Sequence, residues 1–139
     1  MFDDPEIVAT VRRWVEKAEN DLLTAANMLK LVRKCPTDIV CFHAQQCVEK
    51  YLKGVLVWRN RPFPKTHDLT ALMGLLAAAD RPELAADEQE MLTRYATVTR
   101  YPGDYAPISL TEARAAVRIA RRVRSHIRKR LPKEALKTN

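Results

Sequence analysis

Helix punctuation constrains this chain more than any other feature of its sequence. Asp4-Pro5-Glu6 is a start signal, with Asp as the cap and Pro at the first helical position, where no N–H is needed. Trp14, Ala18, Leu22, Ala25, Met28, Leu29 and Val32 then recur at helical spacing, which predicts a first helix running to about Lys34. Pro36 and Asp38 open a second helix with Val40, Ala44, Cys47, Val48, Tyr51, Leu52 and Val55 on its apolar face. It must end before the Arg59–Pro64 turn, because Pro62 and Pro64 cannot continue it. A shorter third helix follows His67-Asp68, carrying Leu69, Leu72, Met73, Leu75 and Leu76. Asp87-Glu88-Gln89-Glu90 resembles a capping box and starts a fourth, through Met91, Leu92, Tyr95 and Val98. Ser109-Leu110-Thr111-Glu112 is a second capping box, and the helix behind it runs to about Leu131, where Pro132 stops it. No alternating stretch reads as a strand and no internal repeat is present. The expectation is an all-α antiparallel bundle of four to five helices without a sheet, one domain over residues 1–131 followed by a polar tail over 132–139.

Composition narrows the class. At 139 residues, 47% hydrophobic and 29% charged, the chain is a globular domain large enough to fold without a metal or disulfide staple. Its three cysteines, Cys35, Cys41 and Cys47, are six apart, which is neither a disulfide framework nor a metal-site spacing. No run approaches the roughly 18 apolar residues of a membrane span. The acidic N-terminus lacks the hydrophobic region of a secretory signal, so a cytoplasmic protein without membrane partner, metal or cofactor is expected. Net charge is +7 and unevenly placed: residues 110–139 hold ten Lys/Arg and two Asp/Glu, whereas residues 1–109 hold fourteen against fifteen. That asymmetry points to an anionic partner, or to a solvated helix face.

Three places could carry chemistry. On the second helix, His43, Gln46, Lys50 and Lys53 are three, four and three apart and share a face, with Glu49 placed to pair with Lys53. Such a face can hold a phosphate and a base edge, or simply meet solvent. The segment Arg100-Tyr101-Pro102-Gly103-Asp104-Tyr105 gathers a guanidinium, two phenols and a carboxylate around a turn, as a binding loop or as a plug for the bundle end. On the last helix, Arg124 falls within the apolar arc of Ala113, Ala116, Val117, Ala120, Val123, Ile127 and Leu131, so it must be paired internally or face a subunit interface. Nothing reads as a phosphate loop, a nucleophile elbow or an HExxH site.

The segment from Cys41 to Leu56 (CFHAQQCVEKYLKGVL) resembles the second-helix signature of HEPN domains. Thr66-His67-Asp68-Leu69 is similar to the element that follows it in that family, and Arg100-Tyr101-Pro102-Gly103-Asp104 looks like the family's RYPD-type loop with a glycine inserted. The resemblance implies a helical homodimer that works beside a minimal nucleotidyltransferase in a toxin–antitoxin-like pair. It also implies nucleotide binding, and the residues expected to bind the nucleotide or partner are His43, Gln46, Lys50, Lys53, His67, Asp68, Arg100, Tyr101, Asp104 and Tyr105. Some members are metal-independent ribonucleases with an arginine, four to six residues, then a histidine, a spacing matched by Arg121 and His126, with Arg122, one turn before His126, as the alternative cation. Five arginines crowd the eleven residues from Arg114 to Arg124, and Arg128 stands where that subgroup often has tyrosine. The expected role is therefore non-catalytic binding. The alternatives are a ribonuclease toxin using the R-x4-H pair and RNA or DNA binding by the basic C-terminal helix.

Overall fold

In the computed structural model, which describes residues 4–31, 33–97, 103 and 106–137, every regular element is a helix. The order is α1 (Pro5–Met28), α2 (Thr37–Trp58), α3 (Leu69–Leu75), a 3₁₀ turn at Ala78–Asp80, α4 (Ala86–Thr97), α5 (Leu110–Arg128) and α6 (Lys133–Leu136). The all-α bundle expected from the punctuation is the fold, with no strand among the described residues.

The start signals work as read. Asp4 accepts the Glu6 N–H (2.8 Å) with Pro5 in the first turn, and Ser109 Oγ accepts the Glu112 N–H (3.0 Å). At α4 the box is shifted: Glu88 accepts the Ala85 N–H (2.9 Å), so the helix starts one residue before Asp87. The C-terminus of α2 closes through Asn60, whose left-handed φ of 55° lets the Arg61 N–H reach back to the Leu56 carbonyl (2.9 Å).

Two boundaries differ from expectation. Helix α1 ends at Met28 rather than near Lys34, because the chain must reverse before Pro36, and Lys34 takes a left-handed φ of 57° to do so. The apolar spacing that continued to Leu29 reflects packing of the turn on the core, not helix. The segment after Pro132, expected as a polar tail, forms α6 instead. The φ of −67° at Pro132 suits a helix start as well as a stop. Ala135 is fully buried, and Arg12 of α1 donates to the Glu134 carbonyl from Nε (3.1 Å) and Nη2 (2.7 Å).

Helix α2 is the centre of the bundle. Thirteen of its 22 residues are buried, and α1, α3, α4 and α5 all pack on it. Cross-links give the directions. Trp14 lies by Gly54 and Asp21 by His43, so α1 and α2 are antiparallel; Thr37 bonds Ile108 and Tyr51 bonds Arg128, so α5 runs parallel to α2. Gly54 lies at the α1 crossing, where an added Cβ would meet the Trp14 Cβ at 3.4 Å, an ordinary contact. Leu52, Val55 and Leu56 are fully buried in α2, each worth about 1.5–3 kcal/mol of transfer from water. A helix this enclosed keeps its polar stripe only partly in solvent.

Candidate functional site: a carboxylate-organised face on the central helix

The polar stripe of α2 is held from beneath by two buried carboxylates. Asp21 of α1, 7% exposed, accepts from His43 Nδ1 (2.7 Å) through one oxygen and from Lys50 Nζ (2.6 Å) through the other. Glu49 of α2, 3% exposed, accepts from Gln45 Nε2 (2.9 Å) and His67 Nδ1 (2.7 Å) on one oxygen and from Lys53 Nζ (3.0 Å) on the other. Gln46 Nε2 donates in turn to Gln45 Oε1 (2.6 Å), so the stripe rests on two networks, His43 and Lys50 on Asp21, and Gln46, His67 and Lys53 on Glu49. Every buried side-chain N or O atom among the described residues has a partner.

The charges follow from this geometry. Burial alone would push the Glu49 carboxyl up, but the donors Gln45, His67 and Lys53 outweigh it and hold the group below its ordinary 4.5. A carboxylate only accepts, so both imidazoles carry their proton on Nδ1 and turn Nε2 away from the acid. The His67 side chain is half exposed, His43 and Lys50 about a quarter. Lys53 is enclosed: its Nζ lies 5.8 Å from the ring centres of Trp14 and of Phe63, whose centroids are 6.2 Å apart. This lysine fastens the loop after α2 onto α1.

The sequence-predicted binding residues thus divide. His43, Gln46, Lys50 and His67 form a partly exposed polar face with fixed orientation. Lys53 belongs to the interior, and Asp68 caps α3, accepting from the Thr70 and Ala71 N–H groups (3.0 and 3.3 Å). Arg100, Tyr101, Asp104 and Tyr105 lie outside the described residues. At the α4 flank of that segment, the Tyr95 hydroxyl donates to Glu112 (2.5 Å) beside a cavity of about 210 Å³ lined by Met91, Arg94, Pro107 and Ile108. Sequence reasoning passed over Asp21. The available signal was its position inside the apolar arc, between Met28 and Trp14, the same signal that singled out Arg124.

The residues of the ribonuclease alternative do not come together. The Arg122 guanidinium grips both Glu88 oxygens (3.0 and 3.2 Å) and the Glu83 carbonyl (2.8 Å). His126 donates from Nε2 to the Asp80 carbonyl (3.2 Å), and Asp80 is fixed by a two-pronged bond from Arg59 (2.9 and 3.0 Å). Burial, with Arg130 and Lys129 nearby, lowers the His126 pKa below 6.5. Arg121, exposed, leaves the helix about 140° around from His126, so the two do not converge within one chain. Arg124 resolves as an internal pair: its Nε donates to Glu19 (2.8 and 3.1 Å), which also accepts from Arg128 (2.9 Å).

A helical bundle whose central helix carries a carboxylate-fixed His/Gln/Lys face, followed by a capped His-Asp turn, defines the class. The chain belongs to the HEPN domain family, whose model matches residues 11–130. Searches of curated proteins and of solved structures returned no match. Among the described residues no helix is long and apolar enough to cross a membrane, and no cluster of three or more His, Cys, Asp or Glu could hold a metal.

Proposed function

We propose that this HEPN-domain protein is a non-catalytic binding module that acts with a minimal nucleotidyltransferase in a toxin–antitoxin-like pair. The partner, or the nucleotide it handles, docks on the α2 face. One observation carries the reading: Asp21 fixes His43 and Lys50, and Glu49 fixes His67 directly and Gln46 through Gln45, before any ligand arrives. Groups held this way lose little conformational entropy on binding and present a set pattern of donors and acceptors. The ribonuclease alternative draws no support from a chain in which His126 and Arg122 are spent on separate internal bonds and Arg121 leaves the helix on another side. A homodimer fits the apolar surface left by Leu23, Leu31 and Ile39, which are 61%, 45% and 42% exposed.

The test uses Gln46→Ala with His67→Ala, because Lys50→Ala would strand the buried Asp21. Calorimetry against a panel of nucleotides and against the co-expressed nucleotidyltransferase should give heat with the parent chain. The double variant should lose at least tenfold in affinity while keeping its helical circular dichroism. Absence of heat from every ligand, or equal binding by the variant, would refute the assignment. Metal-independent RNA cleavage that disappears in His126→Ala would replace it with the nuclease.

A further inference from the structure

The ten cations after residue 109 do not share one fate. Arg122, Arg124, Arg128 and Lys137 form ion pairs, and Arg130 donates to the Ala79 and His126 carbonyls. Arg114, Arg118, Arg121 and Lys129 on α5 and its C-cap, and Lys133 on α6, are exposed and make no ion pair among the described residues. Their spacing is the decisive feature. The exposed positions along α5 and its C-cap are Thr111, Arg114, Arg118, Arg121, Ser125 and Lys129, stepping three, four, three, four and four. They form a straight line about 27 Å long at 1.5 Å per residue. It carries cations and hydroxyls only. Glu112, the one acid of α5, is turned to the Tyr95 hydroxyl. By contrast, the exposed residues of α1 and α4 mix both signs, as Glu6 with Lys17 and Glu90 with Arg94. A solvated helix face needs no such purity.

We propose that this outer face of α5 binds the phosphate backbone of double-stranded nucleic acid without reading its sequence. Arg, Lys, Ser and Thr side chains are the groups that contact phosphate and sugar oxygens. A rigid row of them suits the fixed phosphate track of a duplex. Single strands are held through aromatic stacking, and the row has no aromatic residue. The face is independent of the α2 surface, so the two assignments fail separately.

The experiment is fluorescence anisotropy of the full chain with a 20-base-pair RNA duplex, the matching DNA duplex and a single strand, each over a salt series. Four cations on phosphate give a log–log salt slope of about 3–4 on duplex DNA. Arg114→Ala/Arg118→Ala/Arg121→Ala should weaken duplex binding at least tenfold and lower the slope by about three, with unchanged thermal stability. The control Lys17→Ala/Arg33→Ala/Lys65→Ala removes as much charge from exposed positions elsewhere and should weaken it less than threefold. Equal loss in both variants would reduce the effect to net charge and overturn the proposal. So would preference for the single strand, absence of duplex binding at low salt, or a requirement for these arginines only in capture of an acidic protein partner. The relative affinity for the two duplexes tells whether RNA or DNA is the ligand.

Discussion

Replacing Glu49 by glutamine keeps the shape of the side chain and removes the charge on which the α2 network depends. The carboxylate accepts three bonds and donates none. An amide in its place must turn its NH₂ either to the Lys53 ammonium or to the Gln45 and His67 donors, so one side faces a donor–donor clash. Lys53, 8% exposed between two aromatic rings, is left without a counter-charge. Breaking a buried pair from one side costs about 3–5 kcal/mol. That is a large part of the roughly 5–15 kcal/mol that holds a domain folded. For a chain of this size the loss corresponds to a fall in Tm of about 10–20 °C. Urea denaturation followed by circular dichroism measures it directly. Adding Lys53→Met, which removes the stranded charge and keeps the stem, should restore about half, a coupling of about 2 kcal/mol. A loss below about 1 kcal/mol in the single variant, or additive single variants, would show that Glu49 organises nothing.

Two further outcomes follow from the titrating groups. The His126 pKa is lowered chiefly by burial, so below pH 6.5 the unfolded chain binds the proton more readily than the folded one, and stability falls on acidification through that range. Tm measured from pH 7.5 to 5.5 should decline in the parent and decline less in His126→Gln; parallel curves would contradict the assignment. Glu49 adds a second loss below its ordinary 4.5, as its depressed carboxyl is protonated. Cys41 and Cys47 are fully buried, and burial pushes both thiols up, Cys41 to about 12. A thiol-reactive disulfide reagent should therefore label one cysteine, Cys35, in the native protein and three in denaturant, and fast native labelling of two or more would refute the packing.

What the sequence made legible was local. The Asp4 and Ser109 caps bond N–H groups two and three residues away, and the Glu49–Lys53 pair spans one helical turn, so each could be read from spacing. Arg124 was legible by its angle, which demanded a partner but could not name Glu19, 105 residues earlier. Asp21 was missed although its angle made the same demand, because its partners His43 and Lys50 come from another helix. The R-x4-H spacing is the converse case. It registers how close Arg121 and His126 are along the chain, whereas His126 is turned to the Asp80 carbonyl, 46 residues distant, and Arg121 leaves the helix about 140° around from it.

The charge asymmetry of the sequence becomes intelligible only with these long-range bonds in place. Glu19, Asp21, Glu49, Asp80 and Glu88 sit at helix–helix seams, and each holds at least one cation of another helix or of its own next turn. Five of the fifteen acids in residues 1–109 are therefore structural. Three of the C-terminal arginines, Arg122, Arg124 and Arg128, serve the same seams. The excess that remains is not spread over the surface. It lies on the side of α5 opposite Val123 and Ile127, the direction in which packing makes no demand. Core packing alone would accept glutamate at Arg114, Arg118 and Arg121 as readily as arginine, so a requirement for positive charge at those three positions must come from outside the fold.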